Sequence, residues 1–136
     1  MGMVYTEVTL KNVKDIGLAQ EGYIKEQAIR EDTVTALVDT GAMNLCITEE
    51  IFDRLGLEIV EQKTATVANG QRILCNVTGP VEVHWKDRRT VVMATVVPGA
   101  DKVLLGAIPL EGMDLMVNPS QQEVVGVHGD EMLLLI

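Results

Sequence analysis

Acid, thiol and imidazole groups are the side chains here that could do chemistry, and most are poorly placed for it. His84 and His128 lie far apart, and neither has a Cys or a second His at metal-ligand spacing. They read as surface or packing residues, and no metal or cofactor is expected. Cys46 sits in the apolar run Leu45-Cys46-Ile47 and, with Cys75, reads as a free core thiol in a reducing compartment. A Cys-His nucleophile pair would have to be assembled by the fold, because no Cys neighbours a His in the chain. No Gly-rich loop opens a helix to cradle phosphate. Trp85, on an alternating stretch, reads as core or interface, and the seven Met residues read as gap-fillers.

What remains is Asp39-Thr40-Gly41-Ala42. Asp and Gly are common in turns for purely local reasons. Here, however, apolar Ala36-Leu37-Val38 runs straight into the acid, and apolar Leu45-Cys46-Ile47 follows. A carboxylate between two such strands is partly desolvated, which is costly unless it is hydrogen-bonded or protonated. Asp39 is therefore the candidate for acid–base work.

The elements that must hold it are mostly strands. Val4, Thr6, Val8 and Leu10 alternate with polar neighbours, giving a first strand with one dry face. Tyr23–Ile29, Thr33–Val38 and Leu45–Ile47 are read as the next three strands. A helix over Glu49–Leu55 has Thr48 as its N-cap, acids in its first turn, Ile47 and Phe52 at staple positions, and Gly56 as its left-handed terminator. Thr64–Val77 reads as a hairpin with Asn69-Gly70 at its tip. Val81–Trp85 and Thr90–Val97 form a second hairpin across the charged turn Lys86-Asp87-Arg88-Arg89. Val103–Leu105 is a short strand, Pro109 suits the first turn of a brief helix, and Leu115–Val117 with Val124-Val125 closes a last hairpin.

With 136 residues, 47% of them hydrophobic, the chain suits one globular domain. Its 20 acids outnumber 11 bases for a net charge of -9, which argues against nucleic acid and against an anionic membrane surface as partners. No apolar run approaches the roughly 20 residues of a membrane span. No signal peptide is visible, so a cytoplasmic location is expected. Met1-Gly2 ahead of Met3 reads as a duplicated start rather than an acylation signal.

Taken in order, these features resemble retropepsin-like aspartic proteases, in particular small prokaryotic members. Ala36-Leu37-Val38-Asp39-Thr40-Gly41-Ala42 looks like the active-site segment. A strand, a helix and a hairpin at the flap position follow it. Leu104-Leu105-Gly106 looks like the apolar-apolar-Gly element that packs beside the catalytic loop, and Leu105–Glu111 with Asp114-Leu115 extends the likeness.

The resemblance implies that residues 1–136 form one retropepsin-like domain, a mainly β, closed barrel with one short helix and a flap hairpin. It implies an aspartic endopeptidase that hydrolyses peptide or protein substrates without a cofactor. Two carboxylates must share one proton in that chemistry, and this chain has a single Asp-Thr-Gly. A homodimer is therefore implied, with one Asp39 per chain meeting at a two-fold axis. Thr40 would reach across that axis, and the Gly41 and Ala42 amides would hydrogen-bond the carboxylates. Ala68, Asn69 and Gly70 would form the flap tip over the substrate, and Leu104, Leu105 and Gly106 would pack beside the loop. Ala42 replaces the hydroxyl residue of many two-lobed relatives, so activity is expected to persist toward neutral pH.

Departures are visible too. Retroviral members pair an Asp just after the catalytic segment with an Arg just after the later Gly, and here Met43 and Ala107 hold those places. Val4–Leu10 and Met132–Ile136 are the candidate strands for a dimer interface. The alternative reading is a catalytically silent dimeric peptide-binding or structural module of the same fold. A third is a β domain whose Asp39 is only a turn residue.

Overall fold

A computed structural model describes residues 3–133. Strands take 49% of the described residues and helices 18%, so the mainly β reading stands. The strands are β1 (Val4–Asn12), β2 (Glu31–Val38), β3 (Leu45–Ile47), β4 (Ile59–Thr66), β5 (Arg72–Trp85), β6 (Arg88–Val96), β7 (Val103–Leu105), β8 (Leu115–Asn118) and β9 (Glu123–Gly126). They run β1-β2-β7-β3-β6-β5 around a barrel that closes through β1–β5 pairing. β4 pairs with β5 outside that ring, and β8 and β9 form a separate two-stranded sheet.

Alternation explains the closure. On β1, Val8 and Leu10 are buried while Tyr5 points out. Ala36, Leu45, Ile47, Val81, Val83, Ala94, Val103 and Leu105 complete one apolar interior. Ile51 and Leu55, on helix α2 (Glu49–Leu55), join the same core. That helix has the expected bounds. Thr48 Oγ accepts the Ile51 amide at 3.1 Å, and Gly56 ends it at φ 60°. Trp85 is core, its indole N–H donating to Thr6 Oγ at 2.8 Å.

Several expectations are corrected. Tyr23–Ile29 is not a strand but a loop with a 3₁₀ turn at Glu26–Ala28, and Tyr23 is exposed. Its polar Lys25-Glu26-Gln27 centre gives no alternating face to bury. Two further helices join the expected one, α1 (Val13–Gln20) and the brief α3 (Ala107–Gly112) that Pro109 had suggested. Of the Met residues, Met113 fills the core, whereas Met3, Met43, Met93, Met116 and Met132 are exposed. β1 lies along β2 from Val4 to Lys11, and its Thr9–Asn12 end also pairs β5. Met132 and Leu133 are not in a strand, and 134–136, like Met1-Gly2, lie outside the described residues.

Two buried polar knots tie the extra pieces down. Asn12 caps α1 by accepting the Asp15 amide and also donates to Leu55 O at 2.8 Å. Asp15 is buried and takes Arg30 Nε at 2.8 Å and Nη2 at 3.0 Å, a bidentate pair that fixes the loop entering β2. Arg88, expected in a charged turn, opens β6 and is buried. It donates to the carbonyls of Met113, Asp114, Gly129 and Glu131, so it clamps the chain's C-terminal segment to the barrel. Gly126 leaves the room, since a Cβ there would lie 2.3 Å from the Arg88 guanidinium. Asp114 accepts His128 Nδ1 at 2.7 Å and the Leu133 amide at 3.1 Å on the same segment.

No helix among the described residues is long and apolar enough to cross a membrane.

Removing the Arg88 side chain orphans several carbonyls in a buried site. Arg88→Ala is expected to lower the unfolding free energy by about 3 kcal/mol in urea titrations. The Arg30 hydrogen bonds hold the Asp15 carboxyl below its ordinary value, against the opposing effect of burial. A carboxyl lowered in this way stabilises the fold above its unfolded value and loses that contribution as pH falls toward the folded one. Wild type should therefore lose stability below about pH 4, and Asp15→Asn should flatten that acid limb in thermal melts recorded across pH.

Candidate active site

Asp39 follows the last residue of β2, where Val38 pairs in parallel with Leu105 of β7. Its amide donates to Leu105 O at 3.0 Å, which fixes where β2 ends. The chain then turns, with the Ala42 amide on Asp39 O at 3.1 Å. The Gly41 amide donates to Asp39 Oδ1 at 2.9 Å and so orients the carboxylate. Of the two amides expected on the carboxylate, Gly41 supplies one; the Ala42 amide is spent on the main chain. Asp39 is half-buried, and Thr40 and Gly41 are exposed.

The loop is held from below by the start of α3. The first amides of a helix have no partner within it. Here Gly106 donates to Asn44 O at 3.1 Å, Ala107 to Ala42 O at 2.8 Å and Ile108 to Met43 O at 2.9 Å. The next residue, Pro109, has no amide hydrogen to satisfy. Gly106 has extended backbone at φ -86°, so its role is space rather than conformation. A Cβ there would stand 2.4 Å from Asn44 O and 2.7 Å from Ala42 O. The structure thus joins Asp39–Ala42 to Leu105 and Gly106, while Leu104 pairs with Leu37 and Cys46. Sequence reasoning missed the carbonyls of Met43 and Asn44 and the amides of Ala107 and Ile108; Pro109, two residues on, was the available signal.

A cavity of about 420 Å³ opens beside the carboxylate, lined mainly by apolar residues from β1, β2 and the β8–β9 hairpin, with Asp39 and Thr40 at its edge. Ala68, Asn69 and Gly70 stand at the end of the projecting β4–β5 hairpin and do not line this cavity. Their turn is also longer than expected. Gly70 N–H meets Val67 O at 2.8 Å, Val67 N–H meets Gln71 O at 2.9 Å, and only Gly70, at φ 83°, has positive φ. This is a three-residue loop with a glycine bulge rather than a two-residue Asn-Gly turn.

Other chemistries find no assembly. His84 pairs with Glu82 and His128 with Asp114, so neither serves a cysteine. Cys46 and Cys75 are free. Burial pushes both thiols up, and the neighbouring Cys75 and Asp39 charges add to the effect on Cys46, which disfavours a thiolate nucleophile. Among the described residues no group of three or more His, Cys, Asp or Glu side chains is placed to hold a metal ion.

Adding one methyl at Gly106 must displace the loop backbone. Gly106→Ala is expected to cost about 3 kcal/mol in chemical denaturation, whereas Gly70→Ala, with open space around it, strains only its own backbone by about 1 kcal/mol.

Comparison with known families supplies an independent reading. The family model described as gag-polyprotein putative aspartyl protease matches residues 26–130. No curated protein matches the chain. The matched span runs from ahead of β2 to beyond β9 and includes the Asp39 loop, the projecting hairpin and α3. A closed barrel, an Asp-Thr-Gly loop at a strand end and a glycine that seats it therefore coincide with the family match, and the chain belongs to this retropepsin-like family of aspartyl proteases.

Proposed function

We propose that the protein is an aspartic endopeptidase that works as a homodimer, each chain giving one Asp39 to a shared dyad. The supporting observation is the seating of Asp39. Its backbone is anchored on Leu105 O, its Oδ1 on the Gly41 amide, and its loop on the amides of Gly106, Ala107 and Ile108, while the carboxylate stays half-exposed at a cavity edge. A residue needed only for a turn has no use for so rigid a mount. With one such acid per chain, a second copy must complete the pair.

In the reaction, one carboxylate takes a proton from water as the water attacks the scissile carbonyl. The other, protonated, donates to the carbonyl oxygen. The tetrahedral species then collapses as a proton passes to the leaving amine. The substrate is an extended peptide segment bound as an added strand, with the β4–β5 hairpin as flap and Ala68-Asn69-Gly70 closing over it. Thr40 braces the two loops across the axis.

Asp39→Asn is the decisive variant. Its side-chain oxygen can still accept the Gly41 amide, so the local turn survives while the ionisable group is lost. Cleavage of a mixed peptide library is expected to fall by about 1,000-fold or more. Equal cleavage by variant and wild type, or none by either, would leave the silent-module reading standing. Among the described residues no side-chain hydroxyl donates to Asp39, so activity should persist toward neutral pH; an optimum below about pH 3.5 would contradict this. Ala42→Ser, which adds a donor for the ionised form, should move the acid limb of the profile downward.

A further inference from the structure

β8 and β9 have four residues each and form a sheet apart from the barrel. So short a hairpin is marginal unless its root is held. Asp114 stands immediately before β8, and His128 two residues after β9. The Val127 amide donates to Asp114 O at 2.9 Å. The Asp114 carboxylate accepts His128 Nδ1 at 2.7 Å and the Leu133 amide at 3.1 Å. Arg88, reaching over from β6, donates to Asp114 O at 2.8 Å and to the carbonyls of Gly129 and Glu131.

These two anchors differ in kind. A guanidinium keeps its charge at every pH a folded protein meets, so the Arg88 anchor is constant. An imidazole ordinarily changes charge near neutrality. A carboxylate–imidazole contact is therefore an ion pair on one side of that change and a plain hydrogen bond on the other. The contact here is partly shielded from water, since the Asp114 side chain is 14% exposed and that of His128 38%. The charged groups around it are Arg88 of β6, Lys86 and Asp87 of the β5–β6 turn, Glu111 of α3, and Asp130 and Glu131 of the segment itself. Of these, Arg88 acts with His128 on the Asp114 carboxyl.

We propose that the Asp114–His128 pair is a pH-sensitive latch across the root of the β8–β9 hairpin, tight while His128 is protonated and looser once the imidazole is neutral. It holds the two ends of 127–133, whereas Arg88 keeps the middle of that segment docked throughout. The tip of the same hairpin gives Val117, Pro119 and Gln122 to the cavity beside Asp39, so the latch sets how firmly that wall is rooted. The inference does not depend on whether a dyad forms. The bonds from His128 and from the Leu133 amide also hold the Asp114 carboxyl below its ordinary value. A carboxyl lowered in this way contributes above its unfolded value and loses that contribution as pH falls through the folded one. The latch thus opens again in stronger acid and is tightest between the two limbs.

The test is amide hydrogen exchange of the full chain, followed by NMR at pH values from about 5 to 8.5. Rates are expressed as protection factors, which removes the intrinsic pH dependence of exchange. Protection of the Leu133 and Val127 amides should fall about five-fold as pH rises, the difference between a charge-assisted and a neutral hydrogen bond. Protection in β1 and β2 should stay constant. His128→Gln retains an N–H donor but cannot titrate, so both amides should keep one protection factor across the range. Asp114→Asn should give low, flat protection; if it does not fold, His128→Gln decides alone.

Flat protection in wild type overturns the inference. So does a pH response that His128→Gln preserves, or one that β1 and β2 share, which would mark loosening of the whole fold. Each of these results leaves the reading of Asp39 untouched.

Discussion

Three backbone amides at the start of α3 hold the loop that carries Asp39. This arrangement satisfies two needs at once. A helix start must find acceptors for its first amides, and a loop leaving a parallel strand must find donors for its carbonyls. Gly106 is where the two backbones come close enough to do so, and no larger residue fits. The barrel order follows from the same contact. β7 has to lie between β2 and β3 so that the chain leaving it reaches the turn that joins them.

Buried charge plays the corresponding part at the ends of the barrel. Asp15 with Arg30 secures α1 and the loop before β2, and Arg88 secures the C-terminal segment through carbonyls alone. Such groups are poor sources of net stability, because desolvation offsets most of what their bonds contribute. They are strict about geometry, however, and each fixes a segment that has little apolar surface of its own.

Much of this was legible in the residues. Strands with a dry face declared themselves by alternation, and α2 by a complete set of local signals from Thr48 to Gly56. The Asp39 segment and its partner around Gly106 were recognisable because their chemistry is carried by residue type. What stayed hidden depended on partners distant in sequence. Arg88 sits in a run of charges that looks solvated, and only the fold brings the carbonyls of Met113 and Gly129 to it. Asn12 with Asp15 three residues on is a local helix start, but Gly17 interrupts the helical pattern that follows it. At the hairpin tip, Asn-Gly was read by its commonest turn, whereas the pairing of Val67 with Gln71 fixes a longer one.

β5 is a single strand of 14 residues that serves as barrel wall at one end and as the root of the projecting hairpin at the other. Its register against β6 shifts between Val77 and Pro80, and that of β4 against β5 shifts between Ile59 and Glu61, at the same level. No linker separates arm from body, so the arm cannot swing as a free lever. Any bending must be absorbed where the ladder is already irregular, and torque applied at the tip is delivered there to the barrel staves.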